Sequence, residues 1–264
     1  MTGISLVAAA LAGALGLALG SFANVLIHRV PQGVSVVSPA SACPACGHRI
    51  RARHNVPVIG WLWLRGKCAD CGAPISGRYP AVELATGLAF AGVTALTGPD
   101  WRTAMLLALV YFGIVLSAVD LETRRLPDPL TGAFAVCVAV LAPATCALTG
   151  QWDALLRAVI GAAALGALYG LAFVIYPKGM GFGDVKLAPS IGASLAFLGW
   201  PLFAVGVFAA FVWGAVAGVI AMRRARRTRG VAVPFGPWMF VGAATGVLIG
   251  APVTQWYLEL VMLA

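Results

Sequence analysis

Apolar residues run almost unbroken along most of this chain, and the polar residues gather in clusters between the runs. A run of about 20 apolar residues is long enough for a helix to cross the hydrocarbon of a bilayer. The pattern predicts eight such helices, over 3–27, 81–98, 103–120, 130–149, 154–176, 187–199, 202–222 and 235–262. The 187–199 run is short, but Gly199-Trp200-Pro201 is a turn signal that separates it from the next. With the N-terminus outside, the polar segments 28–80, 121–129, 177–186 and 223–234 share one side. That side collects all of the 18 lysines and arginines except Arg102 and Arg157, the bias expected of a cytoplasmic face. Joining the sixth and seventh runs would send the five arginines of 223–229 outside. The expected fold is an all-α polytopic membrane protein of about eight transmembrane helices, divided into a first helix (1–27), a cytoplasmic loop (28–80) and a membrane core (81–264).

Composition agrees. The chain is 61% hydrophobic and 10% charged, far from the balance of a soluble domain. A net charge of +9 carried at the ends of apolar runs orients helices against lipid and does not point to nucleic acid. Met1 to Ile27 holds no Lys or Arg; it lacks the basic start of a cleavable signal peptide and reads as a retained span.

Two acids interrupt this plan. Asp120 closes the apolar run 104–119, and Asp184 stands in Gly179-Met180-Gly181-Phe182-Gly183-Asp184-Val185-Lys186. A carboxylate at a membrane boundary is costly without a role. The parity of the spans puts both on the cytoplasmic side, where two facing carboxylates can share one proton and act as base and acid. Glycines at 179, 181 and 183 would permit φ > 0 and let an extended peptide approach Asp184, so Gly181 and Gly183 are candidate substrate-binding positions. Asp184 alone reads equally well as a helix N-cap; paired with Asp120 it favours catalysis. Asp128 is the rival to Asp120.

The first loop carries a different chemistry. Cys43-Pro44-Ala45-Cys46 and Cys68-Ala69-Asp70-Cys71 are two C-x-x-C pairs 21 residues apart, a spacing close to that of a four-thiolate zinc site. Disulfides are the alternative, but thiols on a cytoplasmic loop stay reduced and metal is the better reading. His48 and His54 are then surplus, and Cys137 and Cys146 are core residues of a span. Gly16 and Gly20, four apart, suit close helix packing, and Trp61, Trp63, Trp200, Trp238 and Trp256 suit an aromatic belt.

The sequence resembles the bacterial prepilin peptidases, bifunctional leader peptidases and N-methyltransferases of type IV pili and type II secretion, over nearly its whole length. The resemblance is carried by Gly20-Ser21-Phe22-Ala23-Asn24-Val25 with Arg29 and Pro31, by the segment Cys43 to Cys71, and by Gly77-Arg78-Tyr79-Pro80-Ala81-Val82-Glu83. It continues through Asp120 with Leu126-Pro127-Asp128-Pro129-Leu130-Thr131, Gly181-Phe182-Gly183-Asp184-Val185-Lys186, and Pro234-Phe235-Gly236-Pro237. The resemblance implies an aspartic endopeptidase of the inner membrane that cuts prepilin and pseudopilin leaders after a glycine on the cytoplasmic side. It also implies methylation of the new N-terminus with S-adenosylmethionine. Asp120 and Asp184 would be the catalytic pair, Cys43, Cys46, Cys68 and Cys71 the zinc ligands, and Glu83 a candidate for the methyl-donor site or for gripping the substrate's amine. Asp128 would cap or brace the following helix. A peptidase without methyltransferase activity, a proton-coupled transporter using the paired acids and a zinc-stabilised docking module on an inert scaffold are the competing expectations.

Overall fold

The structure is a computed structural model that describes residues 3–98, 100–177, 179–226 and 233–262. Lys178, Arg227 and Arg229, counted above with the cytoplasmic bases, lie outside the described residues. The helices are α1 (Gly3–Arg29), α2 (Ile59–Trp63), α3 (Arg78–Thr97), α4 (Trp101–Thr123), α5 (Asp128–Thr149), α6 (Trp152–Ile175), α7 (Phe182–Leu198), α8 (Trp200–Ala225) and α9 (Gly236–Met262). Among the described residues the β contacts are two isolated bridges, Ala42 with Arg49 and Lys67 with Pro74. The protein is an all-α membrane protein. Seven helices, all but α2 and α7, are long and apolar enough to cross a bilayer.

The chain forms two compact units, Met1–Thr103 and Ala104–Ala264. In the first, α1 packs on α3 through glycine. A Cβ added at Gly16 would lie 2.8 Å from the Thr86 carbonyl oxygen, and one at Gly20 would lie 2.7 Å from Cα of Glu83. Lipid offers no hydrophobic gain for bringing two helices together, so small residues that let backbones close up are what hold them. Gly98, at φ +70°, ends α3.

The second unit applies the same rule to α6 with α7, where Gly161 meets Gly192 and Ala196, and to α8 with α9, where Gly246 meets Leu202 and Gly206. α7 is the centre of the unit. Apart from half-buried Pro189, every residue from Leu187 to Leu198 is buried. The helix has 17 residues, about 25 Å at 1.5 Å per residue, shorter than the ~30 Å of hydrocarbon. The predicted sixth span, 187–199, is this helix, embedded among its neighbours, so seven helices and not eight are long enough to cross. It ends at Gly199 (φ +153°), after which α8 folds back so closely that a Cβ at Gly206 would lie 3.0 Å from Leu195 Cδ1. A buried helix end leaves carbonyls without partners. Arg157 of α6 supplies them, its Nε donating to the Ala196 carbonyl at 3.3 Å and its Nη2 to that of Phe197 at 3.4 Å. Arg157 was one of two bases at odds with the charge asymmetry; it serves as a cap.

Candidate active site and metal centre

α4 and α7 each deliver one acid. Asp120 lies in the last turn of α4 and Asp184 is the third residue of α7. They are 4% and 7% exposed, and each lies within the electrostatic reach of the other. The backbone N–H of Gly236, first residue of α9, donates to Asp120 Oδ2 at 3.1 Å. Both carboxylates are therefore withdrawn from bulk water, and one is oriented by an amide.

The glycines work by close approach, not by positive φ. Gly181 is the N-cap of α7 at φ −70°, and Gly183, inside the helix, has no positive φ either. A Cβ at Gly183 would stand 2.9 Å from Leu126 Cβ, and one at Gly236 would stand 2.8 Å from Asp120 Oδ2 and 3.5 Å from Leu126 Cδ1. A Cβ at Gly181 would come within 3.2 Å of Asp184 Oδ2. Leu126 thus sits between the two glycines that flank the acids. With Gly181 at the N-cap position, Asp184 is not the cap of its helix.

Asp128 is the first residue of α5 and makes no capping bond; it pairs with Lys186 of α7. The Lys186 ammonium also lies 4.9 Å from the Phe182 ring centroid. This is the brace between helices expected of Asp128, and its side chain is 73% exposed, unlike Asp120. Tyr169 of α6, 1% exposed, lies within the electrostatic reach of Asp184 and packs on Phe235 with ring centroids 6.1 Å apart. Neither Leu126 nor Tyr169 was singled out by sequence reasoning, because a leucine before Pro-Asp and a tyrosine in an apolar run look like packing until the fold sets them beside the acids.

The four loop cysteines converge. Their Sγ atoms all lie within 4.8 Å of one another, with Cys43 and Cys71 at 3.9 Å. Tetrahedral zinc with bonds of about 2.3 Å sets sulfurs about 3.8 Å apart, so the residues fit such an ion. The two halves repeat one another. Cys43 N–H donates to the His48 carbonyl and Gly47 N–H to that of Cys43; Cys68 N–H donates to Ala73 and Gly72 N–H to Cys68. Gly47 and Gly72 take φ near +70° (72° and 71°), the turn that glycine allows. Arg51 and Asp70, 2.7 Å apart, tie the halves together. Backbone N–H groups of Cys46 and Ala45 draw the Cys43 thiol down to about 7. Against the pull of the His48 amide, burial and the neighbouring thiols push Cys46 up to about 12. A divalent cation is the charge that lets all four be thiolates together.

Glu83 is buried in α3, and its Oε2 accepts the backbone N–H of Val58 at 2.7 Å. Nearby, Asn24 Nδ2 donates to the Tyr79 carbonyl at 3.0 Å.

The family profile of the bacterial peptidase A24 N-terminal domain matches residues 14–97, and that of the type IV leader peptidase family matches 107–219. The chain is 35% identical to a prepilin leader peptidase/N-methyltransferase of Stutzerimonas stutzeri, over 93% of this chain and 92% of that one. Proteins of the same description from Aeromonas hydrophila and Pseudomonas aeruginosa are 34% and 33% identical, over 92% and 93% of this chain and 91% of each of theirs. No solved structure matches the chain.

Proposed function

The chain belongs to the type IV leader peptidase family, and from that membership we propose that it is a membrane-embedded aspartic endopeptidase that removes the leaders of prepilins or pseudopilins and then methylates the new N-terminus. Cleavage follows a glycine on the cytoplasmic side. The observation that carries the reading is the meeting of Asp120 and Asp184, both buried and each in the field of the other, in a protein otherwise built of apolar helices.

In the proposed mechanism one carboxylate takes a proton from water, and the water oxygen bonds to the scissile carbonyl carbon. The other, protonated, gives its proton to the carbonyl oxygen. Collapse of the tetrahedral intermediate breaks the C–N bond as a proton passes to the leaving nitrogen, and the pair regains one shared proton. The Gly236 amide holds Asp120 Oδ2, leaving Oδ1 for the water. The missing Cβ at Gly181, which would stand 3.2 Å from Asp184 Oδ2, leaves room beside that carboxylate for an extended peptide, and Gly183 makes room for Leu126.

Cys43, Cys46, Cys68 and Cys71 would hold zinc as a structural ion, with no ligand position left for substrate. S-adenosylmethionine, when bound, supplies an electrophilic methyl group. Glu83 suits the cationic side of that chemistry: it is a buried carboxylate with one oxygen committed to Val58, and an amine or a sulfonium is the charge such a group receives. Glu83→Gln is expected to lower methylation while cleavage continues, read with labelled donor on the cleaved product.

The deciding experiment is cleavage in detergent of a prepilin with a basic leader and a glycine at the junction. Wild type should cut it, and Asp120→Asn and Asp184→Asn should be folded and inactive. Normal cleavage by either variant would remove that residue from the mechanism.

A further inference from the structure

The short helix α2 has two faces. Gly60 seats on the carbonyl of His54. Trp61 turns inward, its Nε1–H donating to the Ile75 carbonyl at 3.1 Å and its ring lying against Gly66. Ile59, Leu62 and Trp63, at i, i+3 and i+4, make the other face, and they are 61%, 59% and 70% exposed. Residues at this spacing are neighbours on a helix surface. Contiguous apolar surface of this kind marks an interaction site.

Its depth is set by a bond. The amide of Val58, the residue before α2, donates to Glu83. Glu83 is the sixth residue of α3, a helix long and apolar enough to cross the membrane, and so lies about 8 Å along the axis from its start at 1.5 Å per residue. Val58 stands at φ +61°, a conformation that a β-branched residue rarely adopts. The bond thus holds the chain where it would not rest unaided. A segment pinned to the first turns of a span meets the headgroup layer. Arg53, Arg65 and Lys67 are exposed beside it, and the acid of this loop, Asp70, is paired with Arg51.

We propose that α2 is an interfacial wedge, with Ile59, Leu62 and Trp63 inserted among the headgroups of an anionic leaflet and Arg53, Arg65 and Lys67 on lipid phosphates. An apolar face and a basic cluster are the two signals that together hold a segment to such a surface, and Trp favours that layer. The wedge presses the cysteine loop onto the membrane.

The test compares full-length wild type with Trp63→Phe in nanodiscs containing phosphatidylglycerol and lipids brominated high on the acyl chain. The difference between their emissions isolates Trp63. The expected result is a Trp63 component that is blue-shifted and quenched about twofold, with less quenching in pure phosphatidylcholine and in Arg53→Gln/Arg65→Gln/Lys67→Gln. Leu62→Glu, which puts a charge in the exposed face, should abolish the quenching. An unquenched Trp63 emitting as in water would overturn the proposal. So would a blue shift that appears only when a prepilin is added, which would make the wedge a protein-docking face, and so would quenching that ignores both lipid charge and Leu62→Glu.

Discussion

At the scale of single residues, Asp120 and Asp184 differ from their neighbour Asp128 in what surrounds them. Asp128 is as close in sequence to the membrane boundary as Asp120, yet it is mostly exposed and paired with Lys186, and exposed pairs contribute about 0–1 kcal/mol. Asp128→Asn should therefore keep most cleavage activity and stability, measured beside Asp120→Asn, which is expected to be inactive. The glycines offer a sharper test. Gly236→Ala would put a methyl 2.8 Å from Asp120 Oδ2, whereas a Cβ at Gly218 meets nothing within 4 Å. A displacement of about 1 Å in a catalytic group costs on the order of 100-fold. Gly236→Ala should thus lose about that factor in kcat, and Gly218→Ala should be indistinguishable from wild type. Equal activity of the two would mean that Asp120 does not need the Gly236 contact. Leu126→Ala removes the side chain that separates Gly183 from Gly236. It should reduce stability by roughly 2–5 kcal/mol and activity with it, both regained in Leu126→Met.

At the scale of elements, α7 is the helix around which the second unit packs. It bears Asp184 on its first turn and is wrapped by neighbours from Leu187 to Leu198, so the carbonyls at its C-terminal end need partners that lipid does not supply. Arg157 provides them at the C-terminus. Arg157→Ala leaves carbonyls unpaired, at a cost of roughly 1–3 kcal/mol each when buried. It should lower the melting temperature in detergent, and Arg157→Lys should restore part of the loss. The cysteine knuckles behave as a second element. Purified protein should hold about one zinc per chain, and Cys68→Ser should release it and loosen the loop, seen as faster proteolysis between 28 and 80. Metal-free protein with an unchanged loop would show that hydrogen bonds alone hold the knuckles.

At the scale of the molecule, orientation follows from charge. In the second unit the described bases Arg124, Arg125, Lys186, Arg223, Arg224 and Arg226 stand at the ends of helices where Asp120 and Asp184 lie, and Arg157 stands at the opposite ends. Translocation resists Lys and Arg, so reporter fusions after residues 50, 125 and 226 should read as cytoplasmic and fusions after 100 and 150 as external. Opposite readings would put the active site on the far side of the membrane from the proposed cleavage.

Much of this protein was legible in its sequence, for identifiable reasons. A bilayer demands long apolar runs and backbone bonds closed within each helix, so hydropathy alone marks the spans, and the loop charges order them. Metal ligation demands fixed residue types at short spacing, so the two C-x-x-C pairs announce themselves. Acids in an apolar run are rare enough to stand out, as Asp120 and Asp184 did. What the tertiary structure decided depends on residues far apart in sequence. Only the packing of α7 among its neighbours makes a short apolar run into a buried helix, and only the meeting of α4, α7 and α9 brings Gly236 to Asp120 across 116 positions. Leu126 and Tyr169 gain their meaning in the same way, since an apolar side chain carries no mark of which surface it will separate. Gly181 and Gly183 suggest in sequence a freedom of φ that they do not use in the fold. At Gly183 what counts is the absence of a Cβ where Leu126 passes, and that is a property of the neighbour, fixed when the helices pack.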